Sequence, residues 1–508
     1  MQTFLGDEFT AFEAVFQQSR VNSLRLNPQK LEPSALQHCF PNLEPVPWCD
    51  SGFYVPFEAR AGSHVLHALG AYYVQEASAM AVAVILEPLP GERVLDLCAA
   101  PGGKSTHLAS LMHGQGLLVS NEIVQSRARI LAENLERLGL PAAVMNEDPA
   151  RLAAAWGSYF DRVLVDAPCS GEGMFRKNPD AMLEWSEASV LACANRQTEI
   201  LKSAAQLLKT GGTMVYSTCT FSREENEEVI ERFLEEHPEF ELVDIFDVTP
   251  VIAPVIAPVI APVIAPVIAP VIAPVIAPVI ALVGDGLRPS PTPSPTPSPT
   301  PSPTPSPTPS PTDWGFDRGR DRDGFTARLW AHKLRGEGHF IAKLRKHSLD
   351  DTSTELEFEA FAQPFKAKLE RKSWLEFQED YGVPDGNFAV FRGEVQLIAD
   401  ETPPLETLKV VRAGIPMAEV KAGRLEPHHA LSHWFPRNVT EIPVLDLELD
   451  DPRIQTFLRG ETIISEGAAG WLAVRVLGLG LAWGKRVGST IKNHYPKHLR
   501  DARLNFED

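Results

Sequence analysis

The chain has 508 residues, of which 44% are hydrophobic and 22% charged, with a formal net charge of -19. That length admits two to four domains of ordinary globular composition. The first thirty residues show no basic-then-apolar leader pattern, and proline interrupts the longest apolar stretch at every fourth residue. The expectation is therefore a cytoplasmic protein without a membrane partner.

The six cysteines are Cys39, Cys49, Cys98, Cys169, Cys193 and Cys219. None forms a C-x-x-C pair, which argues against a zinc site and leaves the metal expectation at none. In a reducing compartment they are expected to be free thiols.

In chain order, residues 1–88 read as an N-terminal module. A βαβ pattern follows. Arg93–Cys98 is a short buried strand, Lys104–Met112 a helix and Gly116–Glu122 a second strand. Val124–Leu138 is an amphipathic helix with Ile130, Leu131, Leu135 and Leu138 on one face. Ala142–Asn146 and Asp161–Asp166 are further strands. A long helix then runs to Leu208, with Lys209–Gly212 as its stop signal. Thr213–Thr218, Phe240–Ile245 and His339–Arg345 complete seven strands. Strands alternating with helices imply a mostly parallel, doubly wound sheet, an α/β fold. Between the last two strands stand seven Val-Ile-Ala-Pro repeats from Val251 and six Pro-Ser-Pro-Thr repeats over Pro289–Thr312. Proline excludes both tracts from helices and inner strands, so 251–312 reads as a disordered loop insertion. Residues after about 348 are strand-rich, as in Asn387–Phe391, Lys409–Arg412 and Trp471–Val476.

In open α/β sheets, ligands bind beyond the carboxyl ends of the strands. The first strand ends in Asp96-Leu-Cys98-Ala99-Ala100-Pro101-Gly102-Gly103-Lys104. Its small residues allow close backbone approach to a ligand, and the following helix offers free N–H groups to a carboxylate. Glu122 ends the second strand, where an acid can bind the hydroxyls of a ribose. Asp148 follows the third, suitably placed for an adenine amino group. This pattern fits a nucleoside cofactor but departs from G-x-G-x-x-G, which counts against a nicotinamide. Cys169, in Asp166-Ala-Pro-Cys-Ser-Gly-Glu-Gly173, and Cys219, in Ser217-Thr-Cys-Thr220, lie beyond neighbouring strands. Two thiols beside a nucleoside cofactor suit methylation of a pyrimidine at C5. A thiolate adds to C6 and makes C5 nucleophilic, and a carboxylic acid such as Asp166 assists near N3. The spacing leaves open which cysteine attacks.

These motifs, with Arg20–Arg25, Val46–Cys49, Tyr73–Ser78, Gly336–Phe340 and Lys492–Lys497, closely resemble the Sun/Nop2-type RNA 5-methylcytosine methyltransferases. Within that family they are similar to its bacterial RsmF-like branch, which acts on small-subunit ribosomal RNA. The resemblance covers nearly all the chain except 251–312. It implies a class I, Rossmann-like fold with a seven-stranded, mostly parallel sheet over 89–250 and 313–347. It also implies an N-terminal α+β RNA-recognition module over 1–88 and a strand-rich, PUA-like RNA-binding region over 348–508. The implied cofactor is S-adenosyl-L-methionine, held by residues 98–104, Glu122, Asp148 and Asp166. Cys219 is implied as the nucleophile and Cys169 as the promoter of product release. The implied partner is RNA, 16S ribosomal RNA or the small ribosomal subunit, rather than DNA. Transfer RNA as substrate, or a catalytically silent assembly factor, are the alternatives.

The net acidity argues against nucleic acid until its placement is read. Glu224–Glu241 carries nine Glu and one Arg, a run that reads as a solvated face. Arg318–Lys346 holds nine Lys/Arg against three acids, and Lys485–Arg503 six against one. These two tracts, with the N-terminal module, are the expected RNA contacts.

Overall fold

Five strands form a parallel core because each is a short apolar run that can be buried on both faces. Their order is Ala143–Met145, Leu117–Asn121, Arg93–Asp96, Phe160–Asp166, Leu208–Thr218. The computed structural model describes residues 1–247, 310–348, 371–422, 424–434 and 442–500. His339–Lys346 joins Leu208–Thr218 antiparallel, and Phe240–Val243 pairs antiparallel with His339–Lys346. These are the seven strands expected, in a doubly wound order.

The sheet is larger than expected, with ten strands in place of seven. Ala327–Leu329 and Asp317–Arg318 extend one edge, and Val410–Arg412 extends the other against Ala143–Met145. The sequence reading placed 409–412 with the C-terminal region. Backbone pairing carries it instead to an open sheet edge, which it covers.

Alternation along the strands sends Leu95, Val163 and Met214 to one face. Val94, Leu164 and Val215 go to the other. The helix Glu187–Leu207 packs on the first face through Leu201, Ala204 and Ala205. Ala77–Leu86, Gly103–Leu111 and Gln125–Leu138 cover the second. In Gln125–Leu138 the buried positions are Ala128, Leu131, Leu135 and Leu138, while Ile130 is 46% exposed. Ile130 lies about 100° from that stripe on a 3.6-residue helix, so it points away from the sheet. The stop signal at 209–212 acts one residue early: the helix ends at Leu207 and the strand begins at Leu208.

The N-terminal strands form an antiparallel sheet in the order Glu44–Val46, Cys49–Tyr54, Ser23–Leu26, Tyr72–Val74. Arg25, fully buried, reaches from it toward the glycine turn. Its Nε donates to Gln75 Oε1 at 2.8 Å and its Nη2 to Thr106 Oγ1 at 2.7 Å. Past residue 371 stand a four-stranded sheet over 388–427 and a five-stranded sheet over 444–493. Leu472, Val474 and Ile491 of the last sheet share one apolar cluster with Leu24, Leu26 and Tyr72. The expectation for 251–312 falls on residues outside the described ones, apart from 310–312. Among the described residues no helix is long and apolar enough to cross a membrane.

Candidate active site

Parallel register builds the site. Asp166 pairs with Ser217 at the carboxyl ends of adjacent strands, so the chain emerges on the same edge from both. Cys169 lies three residues beyond one partner and Cys219 two beyond the other. Their sulfurs are 3.4 Å apart. Gly173 closes the first loop onto the second, its N–H donating to the Cys219 carbonyl at 2.8 Å. A Cβ on Gly173 would sit 2.7 Å from that oxygen, so the loop needs glycine for close approach.

A cavity of about 720 Å³ opens here. Of the residues singled out in the sequence, Cys98, Ala100, Glu122, Asp148, Asp166, Cys169 and Cys219 line it. Ala99, Pro101, Gly102, Gly103 and Lys104 do not. Gly102 has φ +113°, and a Cβ there would meet Leu131 Cδ1 at 3.1 Å. A Cβ on Gly103 would meet Tyr73 at 3.3 Å. The glycines thus let the turn pack on its own protein, where the sequence suggested close approach to a ligand.

Lys104 is mostly buried and reaches the cavity through Asp166. Its ammonium donates to Asp166 Oδ2 at 2.8 Å and stands 3.4 Å from His339 Nε2. Ser217 donates to Asp166 Oδ1 at 2.8 Å, so both carboxylate oxygens are accepting. Burial pulls the Lys104 pKa down, but Asp166 outweighs it and the net shift is upward. Burial, with the Lys104 charge, brings His339 down to about 4, leaving a neutral ring that can accept from Lys104. The Cys169 thiol is pushed well above the usual range by its hydrogen bond to Cys219 and by burial. Burial raises Cys98 in the same direction.

Glu122 accepts from the Val124 N–H at 2.8 Å and pairs with Arg127 at 3.2 Å. Asp148 caps the helix Pro149–Trp156 through Ala150 N at 2.9 Å, and its other oxygen has no partner among the described residues. Carboxylate acceptors beside the small side chains of Ala100 and Ala150 suit a nucleoside, whose hydroxyl and amino groups are donors.

Sequence reading missed the acids that hold the thiol loops. Glu225, fully buried, accepts from Ser170 N at 3.0 Å and from Gln197 Nε2 at 2.8 Å. Glu172 accepts from Phe221 N at 2.8 Å, Ser222 Oγ at 2.9 Å and Thr220 Oγ1 at 3.1 Å. Glu227 is fully buried against Arg328. The run 224–241 is therefore not simply a solvated face. The nearby Ser-Gly-Glu and Thr-Phe-Ser segments were the available signal, as both are rich in donors needing acceptors. The basic tract at 318–346 also differs from expectation. Arg318, Arg328, Lys333, Arg335 and Lys343 pair with Asp244, Glu227, Asp317, Glu44 and Glu87 of the same chain.

Four family models match the chain in succession. The N-terminal domain of 16S rRNA methyltransferase RsmF matches residues 1–77, and 16S rRNA methyltransferase RsmB/F matches 83–254. The RsmF rRNA methyltransferase first C-terminal domain matches 370–434, and the methyltransferase RsmF PUA domain 444–501. Four successive stretches of the chain thus match domains of RsmB/F-type 16S rRNA methyltransferases. Ribosomal RNA small subunit methyltransferase F of Vibrio vulnificus (strain YJ016) is 44% identical over 233 residues, covering 44% of this chain and 49% of that relative. The protein of the same name from Vibrio cholerae serotype O1 (strain M66-2) is 42% identical over 234 residues, covering 45% and 49%. The chain thus spans about half the length of the curated relatives it matches. The crystal structure of PH0851 aligns with TM-score 0.51 and 26% identity over 68% of this chain and 64% of that one. The fold expected from the motifs, a class I methyltransferase sheet with a PUA-like C-terminal domain, is the one this chain has.

Proposed function

We propose that this chain methylates C5 of a cytosine in RNA, 16S ribosomal RNA of the small subunit, in the cytoplasm, with S-adenosyl-L-methionine as donor. The observation that carries the reading is two thiols 3.4 Å apart on a cavity that Cys98, Glu122, Asp148 and Asp166 also line. Glu122, Asp148 and the turn at 98–104 would hold the cofactor, with free N–H groups of the helix Gly103–Leu111 available to a carboxylate. When bound, it supplies an electrophilic methyl group on a sulfonium.

The residues of the chain do the rest. The target base leaves its stack to reach the thiols. Cys219, as thiolate, adds to C6, and the electron pair of the C5–C6 double bond becomes available at C5. Because both oxygens of Asp166 already accept hydrogen bonds, a proton offered to the ring near N3 comes from the Lys104–Asp166 pair, and returns to it when the C4–N3 double bond re-forms as C5 takes the methyl group. After C5 is methylated, its proton leaves to solvent, the C5–C6 double bond re-forms, and the bond to Cys219 breaks with its electrons on sulfur. Cys169, which holds its proton at neutral pH, is placed to hand it to the departing sulfur.

The test is a pair of variants on unmodified small-subunit RNA. Cys219→Ala is expected to lose methyl transfer by at least a thousandfold while still binding the cofactor. Cys169→Ala is expected to accumulate a covalent protein–RNA species on a denaturing gel. Full activity in Cys219→Ala would refute the mechanism.

A further inference from the structure

A second pocket, of about 320 Å³, lies between the N-terminal sheet and the Cys169 loop. Arg20, Arg60 and Lys177 line it, all exposed. In a chain of net charge -19 most cations near the active site are paired with carboxylates. Among the described residues none lies within pairing distance of these three. The two acids of the pocket are committed elsewhere. Glu337 forms a buried pair with Arg176 at 2.8 Å and feels the Lys177 charge only as a lesser influence, and Glu76 caps the helix Ala77–Leu86 through Ser78 N and Ala79 N. Phe57 stands 59% exposed at the rim, with the Arg20 guanidinium 5.2 Å from its ring centroid. Unpaired cations with an exposed aromatic ring are the recognition set for single-stranded nucleic acid, which offers phosphates and the faces of unstacked bases.

Side chains link the pocket to the catalytic groups through the protein interior. Glu76 Oε2 is 3.9 Å from His339 Nδ1, and His339 Nε2 is 3.4 Å from Lys104 Nζ. Lys177 lies eight residues beyond Cys169. Lys177 therefore stands on the segment that leaves the thiol loop, on the same chain stretch as the pocket's edge.

We infer that Arg20, Arg60 and Lys177 hold phosphates of the single-stranded RNA beside the target cytosine, and that one neighbouring base stacks on Phe57. The inference rests on the RNA-methylating reading and deepens it by naming the surface that selects an unpaired strand.

The test uses the full chain and a fluorescein-labelled, unmodified transcript of small-subunit RNA, with anisotropy read across a KCl series. Each phosphate contact to a single strand contributes about 0.7 to the slope of log K against log salt. Arg20→Ala/Arg60→Ala/Lys177→Ala should lower that slope by about two and raise KM with little change in kcat. Phe57→Ala should weaken binding by about tenfold or more with the slope unchanged, and Phe57→Trp should restore it. Cofactor affinity, measured by calorimetry, should stay at the wild-type value in all of them and report an intact fold. An unchanged slope in the triple variant overturns the inference. So does a silent Phe57→Ala, and so does a triple variant that loses heparin binding as much as RNA binding, which would mark a general polyanion patch. Wild-type methylation with a normal triple variant removes the pocket alone. Wild-type binding with the predicted slope change but no methyl transfer removes the activity reading and keeps the pocket.

Discussion

The two ends of the active-site cavity are held in different ways. At the end carrying Cys98, Glu122 and Asp148, one backbone bond and several neutral or cationic side-chain donors hold single carbonyls of the turn. Ala99 N donates to Asn121 O at 2.8 Å, and Arg127 donates to Ala100 O at 2.9 Å. Asn121 bridges to Leu97 O and Glu147 O, and Asn134 donates to Pro101 O. At the sulfur end, the loops after Asp166 and Thr218 hang on side chains, above all the buried acids Glu172, Glu225 and Glu227. Losing one of those donors leaves a single carbonyl short of a partner, whereas removing a buried carboxylate at the sulfur end leaves several buried donors unsatisfied at once.

The largest expected effect tests the deepest of these supports. Arg328→Met strands Glu227 as an uncompensated buried charge and should cost about 3–5 kcal/mol of stability, read by urea unfolding. A loss below about 1 kcal/mol would mean the pair is not a support at all. Glu172→Ala should come next. It frees three donors around residues 220–222 and should cost about 1–3 kcal/mol, with methyl transfer falling more than tenfold while cofactor affinity changes less than twofold. Equal losses in both readouts would erase the distinction between the two ends. Gly102→Ala belongs to the cofactor end. It should cost about 1–3 kcal/mol through its positive φ and the contact of the new Cβ with Leu131, with the thiol chemistry intact.

The smallest expected effect is on pH dependence. His339 sits near 4 against an ordinary 6.5, so the stability it contributes is complete above pH 6.5 and is lost as pH falls through about 4. His339→Gln should therefore give a shallower acid limb between pH 6.5 and 4. Asp96 acts in the opposite sense. Burial raises it to about 7, so its contribution is full below pH 3.8 and is lost as pH rises through about 7. Asp96→Asn should make the same limb steeper. Thermal midpoints across pH 4–8 check both.

Much of the fold was legible because the parallel strands are apolar runs long enough to be seen locally. Arg93–Asp96, Leu117–Asn121 and Phe160–Asp166 each stand out without any partner, and their motifs place Asp166, Cys169 and Cys219 beyond strand ends. The two-residue strand at 317–318 was not legible, because so few residues carry no periodicity of their own; 409–412 was legible as a strand, but not its pairing with Ala143–Met145, which lies far away in sequence. His339 stood in a motif, yet nothing local said that its ring would meet Lys104. The acids of 224–241 were read as solvated for the same reason: the partners of Glu225 and Glu227 lie 55 and 101 residues away.

Chain order, apolar alternation and motif chemistry were enough to establish the doubly wound α/β class, the family resemblance and the identity of the two thiols. Those features depend on interactions within a few residues or on residue type alone. The 3.4 Å approach of the sulfurs, the burial of Glu225 and Glu227, and the meeting of Arg20, Arg60 and Lys177 around Phe57 required folding. Each depends on side chains brought together from segments tens to hundreds of residues apart, and a buried charge or an unpaired cation acquires its energy only from that company.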